Sequence, residues 1–486
     1  MPHQTLTQLP ALDALRVALV FVGVFTAVGT VDADSWPQFR GPNASGRPSV
    51  DTPLPHEIGP KKNLVWSTDL PAGHSSPVVM DDRIFLTAER GQHLVTLALE
   101  RASGKLLWER DAGNDHLEEI HHIGSHAQAS PAADNERVVC FFGSCGLVCY
   151  DHAGGLLWKV PLGPFKNNYG AASSPILVGN LVILNQDHDI DSFLLAVDKK
   201  TGKVVWKTDR SEFPRGFSTP IVWNNEGHNE IVVSGGLRVC AYSPDQGREL
   251  WTVHGSARTC SMTPVVGSDG TLFVTEWTPG GDENDHIVAD PFDELVARYD
   301  ANKNKQLERD ELPPGPLGSR FDQIDRDKNG HITAREYDWA RNIFNSAKNG
   351  TLAIRPGARQ DATSTHVRWQ SAKNLPYIPS PVFDKGRLYM IKSGGIVSCV
   401  DATDGKLLKQ KRAPGSHEYF SSPVIGDGML LILDDAGIAT FLTATPELKV
   451  ISTTNFDEPA FATPALVDGR IYLRTNKRLY CFGESR

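Results

Sequence analysis

The sequence predicts an all-β protein, an eight-bladed β-propeller, with a small α-helical module inserted in blade five. Three observations carry this. Eight Ser/Thr-Pro dipeptides recur, at Ser76-Pro77, Ser130-Pro131, Ser174-Pro175, Thr219-Pro220, Thr263-Pro264, Ser380-Pro381, Ser422-Pro423 and Thr463-Pro464. The prolines are spaced 54, 44, 45, 44, 117, 42 and 41 residues apart, and a fixed period of this kind marks a repeat architecture. The 117-residue spacing holds two oxygen-rich loops, and the last repeat stops one strand short while a lone copy of that strand lies near the N-terminus.

Within a repeat, a short apolar run follows the proline, as in Pro175–Val178. A Gly or Asp turn leads to a second strand such as Arg83–Thr87 or Arg387–Ile391. A third strand ends in a small residue with an acid two positions on: Ala98/Glu100, Cys149/Asp151, Ala196/Asp198, Cys399/Asp401. A glycine turn then opens a fourth strand ending in tryptophan: Gly104 to Trp108, Gly202 to Trp206, Gly247 to Trp251. Short β-rich runs bounded by turn residues read as strands, and four strands per roughly 44 residues is one propeller blade. Proline has no N–H, so it suits the innermost edge strand. The tryptophan suits the seam between blades. The stray strand Asn63–Trp66 completes the last repeat, whose third strand is Arg478–Phe482. Trp66 is therefore expected beside that strand, near Leu479, closing the ring and removing its open edges.

The domain reading follows: signal peptide 1–33, N-terminal extension 34–62, propeller 63–277, insertion 278–350, propeller 351–486. Arg16 precedes an apolar run from Val17 to Val28, and Val31-Asp32-Ala33 offers a small-residue cleavage site, the pattern of a secretory leader. The apolar run is short for a membrane span, so no stable membrane insertion is expected after its removal. A net charge of −9 argues against nucleic acid as a partner. Seven cysteines leave at least one unpaired within the chain. If Gly143–Gly146 is a hairpin turn, Cys140 and Cys149 face each other, and an oxidising compartment would allow a disulfide there.

The insertion carries 15 acidic and 10 basic residues and two twelve-residue loops. Calcium takes six to eight oxygens, and an EF-hand supplies them from loop positions 1, 3, 5, 7, 9 and a bidentate Glu at 12. The first loop offers Asp300, Asn302, Asn304, the Gln306 carbonyl, Glu308 and Glu311. The second offers Asp325, Asp327, Asn329, the His331 carbonyl, Thr333 through water, and Glu336. Leu307 and Ile332 fall at position 8, where paired loops bridge. Phe292, Leu295, Val296 and Tyr299 give an amphipathic entering helix. Position six of the first loop is Lys305 where glycine is usual, a left-handed conformation costing about 1 kcal/mol, and Pro313-Pro314 cuts its exiting helix short. The second loop keeps Gly330 and is expected to bind more tightly. Extracellular calcium is high and steady, which favours a permanently loaded structural clip over a switch.

The small-x-acid…Gly-Lys-x-x-Trp pattern, as in Ala196-Val197-Asp198…Gly202-Lys203-Val204-Val205-Trp206, resembles the quinoprotein-type repeat of bacterial PQQ-binding-like β-propeller proteins. The resemblance covers 64–277 and 351–486. It implies the fold, and it implies one of two activities. Quinoprotein alcohol dehydrogenases use pyrroloquinoline quinone (PQQ) and calcium in the propeller mouth, often beneath a disulfide of adjacent cysteines. BamB-like proteins have the same ring without a cofactor and bind proteins. This chain has no Cys-Cys dipeptide, which shifts weight to the cofactor-free reading.

Loops between the second and third strands, and between blades, open on one face. The insertion belongs there, as does the long connection Trp108–Pro131 with His116, Glu118, Glu119, His121, His122 and His126. Asp187, His188 and Asp189, Asn168 and Tyr169, Glu276, and His417–Tyr419 point to the same face. A rim site for a metal or substrate would use His121, His122, His126, Asp187 and His188. Their spacing matches no zinc signature, and no His-Glu-x-x-His or Gly-x-Ser-x-Gly is present. The functional expectation is an exported, secreted or periplasmic calcium-binding scaffold for a protein or small-molecule ligand on the propeller face. The alternative is a PQQ-dependent oxidoreductase. Calcium is the expected cofactor; PQQ is not expected and enters only under the alternative.

Overall fold

The computed structural model describes residues 1, 35–286, 288–415 and 417–484. The leader expected over 1–33 lies, Met1 apart, outside them. Among the described residues no helix is long and apolar enough to cross a membrane.

Eight sheets built on four antiparallel strands form the blades, seven of them running from an inner to an outer strand in chain order. Blade one is Val78–Met80, Arg83–Arg90, His93–Glu100 and Leu106–Asp111. Blade four gains a fifth strand, Gln360–Asp361, parallel to Glu249–His254. Blade eight closes the ring as the stray strand implies: Leu64–Asp69 pairs antiparallel with Arg478–Phe482. Trp66 stands opposite Cys481, and Thr68 opposite Leu479. The apolar core lies between blades rather than at the axis. One cluster joins Phe85 and Trp108 of blade one to Val138 and Tyr150 of blade two.

The Ser/Thr-Pro dipeptides sit at the axis for a reason beyond small size. The N–H of Ser76 donates to Ser130 Oγ, Ser130 to Ser174, and Ser174 to Thr219. Thr263 donates to Ser380, Ser380 to Ser422, Ser422 to Thr463, and Thr463 back to Ser76. These links are all 2.9–3.0 Å long. Seven of the hydroxyls thus satisfy a buried N–H on the neighbouring blade, which a strand edge would otherwise leave unpaired.

The Gly…Trp spacing is a second inter-blade device. Gly104 and Gly247 have φ of 73° and 64°. A Cβ at either would lie 2.3 Å from the tryptophan of the preceding blade, Trp66 or Trp206. The indole N–H groups of those tryptophans donate to Arg101 O and Pro244 O in the same turns. Tryptophan therefore docks on the next blade's turn, and only glycine leaves it room there.

The N-terminal extension has no repeat pattern, yet it crosses the channel end away from the insertion. Trp36 exchanges backbone hydrogen bonds with Val79, and Pro37 O accepts from Ala133 N. The Asn43 side chain bonds both Val222 N and Val222 O. Arg40, fully buried, donates to Pro381 O, and Gly46 O accepts from Ile425 N. Inner strands of blades one, two, four, six and seven are tied by one short segment.

The cysteine expectation is corrected. The hairpin pairs Cys140 with Val148 and Val139 with Cys149. Register is off by one residue, so the two thiols point to opposite sheet faces. Both are free and buried.

Candidate functional site

The channel holds a cup of about 330 Å³. Phe39 of the N-terminal extension is among its lining residues. The residue two positions before each Ser/Thr of the dipeptide lines its wall. These are His74, Gln128, Ala172, Phe217, Ser261, Ile378, Phe420 and Phe461. Each lies in the loop that brings the chain from an outer strand back to the axis, so a fixed offset from the repeat puts it there. The sequence carried this signal, since the offset is constant, but the rim reading was drawn from the longer loops instead.

The wall is asymmetric. Arg215 and Arg258, from the loops entering blades four and five, line one side, joined by Arg320 from the insertion. Tyr377, Ile378, Phe420 and Phe461, from the loops entering blades six to eight, line another. Among the described residues no Asp or Glu lines the cup. His74 stacks on Phe461 with ring centroids 4.0 Å apart. Burial, and then the Arg474 charge, push its pKa down to about 4, so it is neutral at pH 7.

The five rim residues do not meet at a common point. Asp187 is fully buried in a bidentate pair with Arg210, at 2.8 and 2.7 Å. Both ring nitrogens of His126 face acceptors, Glu89 at 3.2 Å and the Glu118 carbonyl at 2.8 Å. The hydrogen bond to Glu89 raises its pKa, and an imidazole donating from both nitrogens has no lone pair for a metal. His188 is buried against Phe165 at 4.6 Å, and burial pushes its pKa down to about 4. His121 and His122 are exposed and lie ring to ring, 4.1 Å apart. The loops do share a face, but these side chains are not gathered into a metal centre. Among the described residues, the His/Cys/Asp/Glu group close enough to hold an ion is Asp325, Asp327 and Glu336, with ligand oxygens within 4.8 Å of one another.

That group sits in the insertion, which leaves blade five after Glu276 and returns at Gly350 to pair antiparallel with the strand it left. Helix Phe292–Tyr299 leads into the first loop, and Phe321–Ile324 into the second. The loops bridge through Leu307 opposite Ile332. In the second loop Glu336 accepts from Arg326 N and Thr333 N, each at 2.9 Å. Although burial acts to raise it, these bonds hold its carboxyl below the ordinary range. Helix Ala334–Ser346 follows, capped by Thr333. The first loop differs. Lys305 takes φ of 64°, and Glu311 ends the short turn Arg309–Glu311 instead of opening a long helix. Glu308 is turned onto Asn302, Asn304 and His331, at 3.0, 2.6 and 2.9 Å.

A family profile described as outer membrane protein assembly factor BamB matches residues 58–144 and 95–311, together more than half of the sequence. The chain belongs to this family. Among solved structures, BamB from Moraxella catarrhalis shows 12% identity, covers 86% of this chain and 98% of its own, and superposes with a TM-score of 0.54. The computationally designed Ika8 protein, at 8% identity, covers 87% of this chain and 99% of its own, also with a TM-score of 0.54. A europium-containing methanol dehydrogenase reaches a TM-score of 0.48 at 9% identity, covering 93% of this chain and 98% of its own. At such identities the likeness to BamB and Ika8 speaks for the fold alone. No curated protein matches the sequence.

Proposed function

We propose that this is an exported, calcium-binding propeller that acts as a binding scaffold, taking a protein or small-molecule ligand at the open mouth of its cup. The cup carries the reading. It is of ligand size, and one constant position of all eight repeats lines it. Membership of a family described by outer-membrane assembly and the leader-like N-terminus favour a periplasmic or secreted location.

The insertion supports calcium at its second loop. Asp325, Asp327 and Glu336 would hold the ion together with Asn329, the His331 carbonyl and Thr333. Their carboxylates already converge. Asp300, Asn302, Asn304, Gln306, Glu308 and Glu311 would give a weaker site, because Glu308 must first leave its amide partners.

Against the quinoprotein alternative stands the lining of the cup. With no carboxylate among the described lining residues it offers poor ligands to a calcium ion beside a quinone, and we route no oxidation step through it. Incubation with PQQ and calcium is expected to yield no dye-linked alcohol oxidation; turnover would favour the alternative. The scaffold reading is tested by a photoactivatable phenylalanine analogue placed at Tyr377 in the cell that makes the protein. One reproducible adduct by intact mass is expected at Tyr377 and none at Val205, exposed on an outer strand. An unmodified Tyr377 variant would contradict it.

A further inference from the structure

We infer that the cup takes an amphipathic organic oxyanion, its head held by Arg258 and Arg320 and its apolar body lying toward Phe420 and Phe461. This rests on the reading of the cup as a binding site.

Arg258 and Arg320 approach from different parts of the fold, one from the loop entering blade five and one from the insertion. Both lie over the same ring, Phe344, at 5.2 and 4.9 Å. Among the described residues neither has a carboxylate within ion-pair distance, whereas neighbouring Arg215 is matched by Asp189 at 2.7 Å. Arg258 spends one donor on Pro279 O at 2.7 Å, and its Nε is buried without a partner. Two guanidinium groups held over one aromatic ring repel each other. Burial first, then the charges of Arg320 and Arg215, hold the Arg258 pKa below its ordinary value. In a chain of net charge −9, a carboxylate-free wall bearing like charges is relieved by an anion. A planar guanidinium fork binds carboxylate or phosphate oxygens in pairs. Facing the cations across the cup, the side chains entering blades seven and eight are Phe420 and Phe461, with ring centroids 5.5 Å apart. They give an apolar body a surface to cover. The head-binding half needs the insertion, because Arg320 belongs to it.

The test is calorimetry of the full chain at low salt with three probes: 3-phenylpropionate, its uncharged amide, and inorganic phosphate. We expect 3-phenylpropionate to bind with a Kd below about 1 mM, more weakly as salt rises. The amide should bind at least about tenfold less tightly, since it loses charge-assisted hydrogen bonds. Arg320→Met keeps a side chain over Phe344 while removing the charge, and should cost at least about tenfold in affinity for the acid, as should Arg258→Ala. Thermal unfolding of Arg320→Met confirms that the insertion stays docked. Equal binding of acid and amide would overturn the anion assignment while leaving the cup as a binding site. Unchanged affinity in both arginine variants would place the acid elsewhere and overturn it too. Inorganic phosphate binding as tightly as 3-phenylpropionate would remove the apolar body from the proposal. If neither acid nor amide binds, the proposal falls, whereas the scaffold reading is decided separately by the Tyr377 adduct.

Discussion

Asp187→Ala lowers the free energy of unfolding by about 3–5 kcal/mol, the cost of leaving one half of a buried ion pair uncompensated. Asp187 and Arg210 are both fully buried at the side chain. The guanidinium spends Nε and Nη2 on the carboxylate, donates from Nη1 to the Tyr242 hydroxyl, and lies 4.0 Å over the Phe213 ring. Removing the carboxylate strands a cation with no route to water. His121→Ala, at an exposed imidazole of the same face, should change stability by no more than about 0.5 kcal/mol. Urea unfolding of the two variants measures the contrast. A loss below about 1 kcal/mol for Asp187→Ala would mean that the pair is not formed, and the rim reading of Asp187 would return.

Glu276 gives the largest pH effect. It is buried at the mouth end of its strand, and burial pushes its carboxyl up to about 8, against backbone hydrogen bonds from Ser261 and Met262 that work to lower it. Its folded pKa is thus raised above the unfolded value near 4.5. Below pH about 4.5 the carboxyl is neutral in both states and its contribution is fully present. Between about 4.5 and 8 the unfolded chain ionises while the folded one does not, and stability falls by about 1.4 kcal/mol per pH unit. Above about 8 the loss is complete, on the order of 5 kcal/mol in all. Glu276→Gln keeps an oxygen for the two N–H groups and removes the titration. It should therefore be more stable than wild type at pH 8.5 by that order and nearly equal to it at pH 4.5. His74 and His188, depressed to about 4, titrate in the opposite sense in both proteins, so the difference between the two curves isolates Glu276. Parallel curves would show that the group is ionised in the fold.

The ring was legible because its two contacts between blades are local and periodic. A hydroxyl at a fixed place receives the N–H of the previous blade, and a glycine at a fixed place receives the previous tryptophan. Closure was legible because a strand was missing at one end and present at the other. Residues 35–48 were opaque for the converse reason. The segment binds five inner strands through backbone groups and single side chains, and such contacts leave no period. The arginines of the cup were missed because Arg215, Arg258 and Arg320 converge from three loops far apart in sequence. The histidine reading erred in kind: it counted ligand types on one face, whereas Arg210, Glu89 and Phe165 had already engaged Asp187, His126 and His188. The cysteine reading failed by one residue of register, which in a strand exchanges one sheet face for the other.

Calcium at the second loop of the insertion is the part of the proposed function that one experiment tests most directly, by calorimetric titration of calcium into the full chain. The expected result is a site whose affinity falls at least about tenfold in Glu336→Gln, because the bidentate ligand is lost, with a smaller change in Glu311→Gln. Identical titrations of wild type and Glu336→Gln would contradict it.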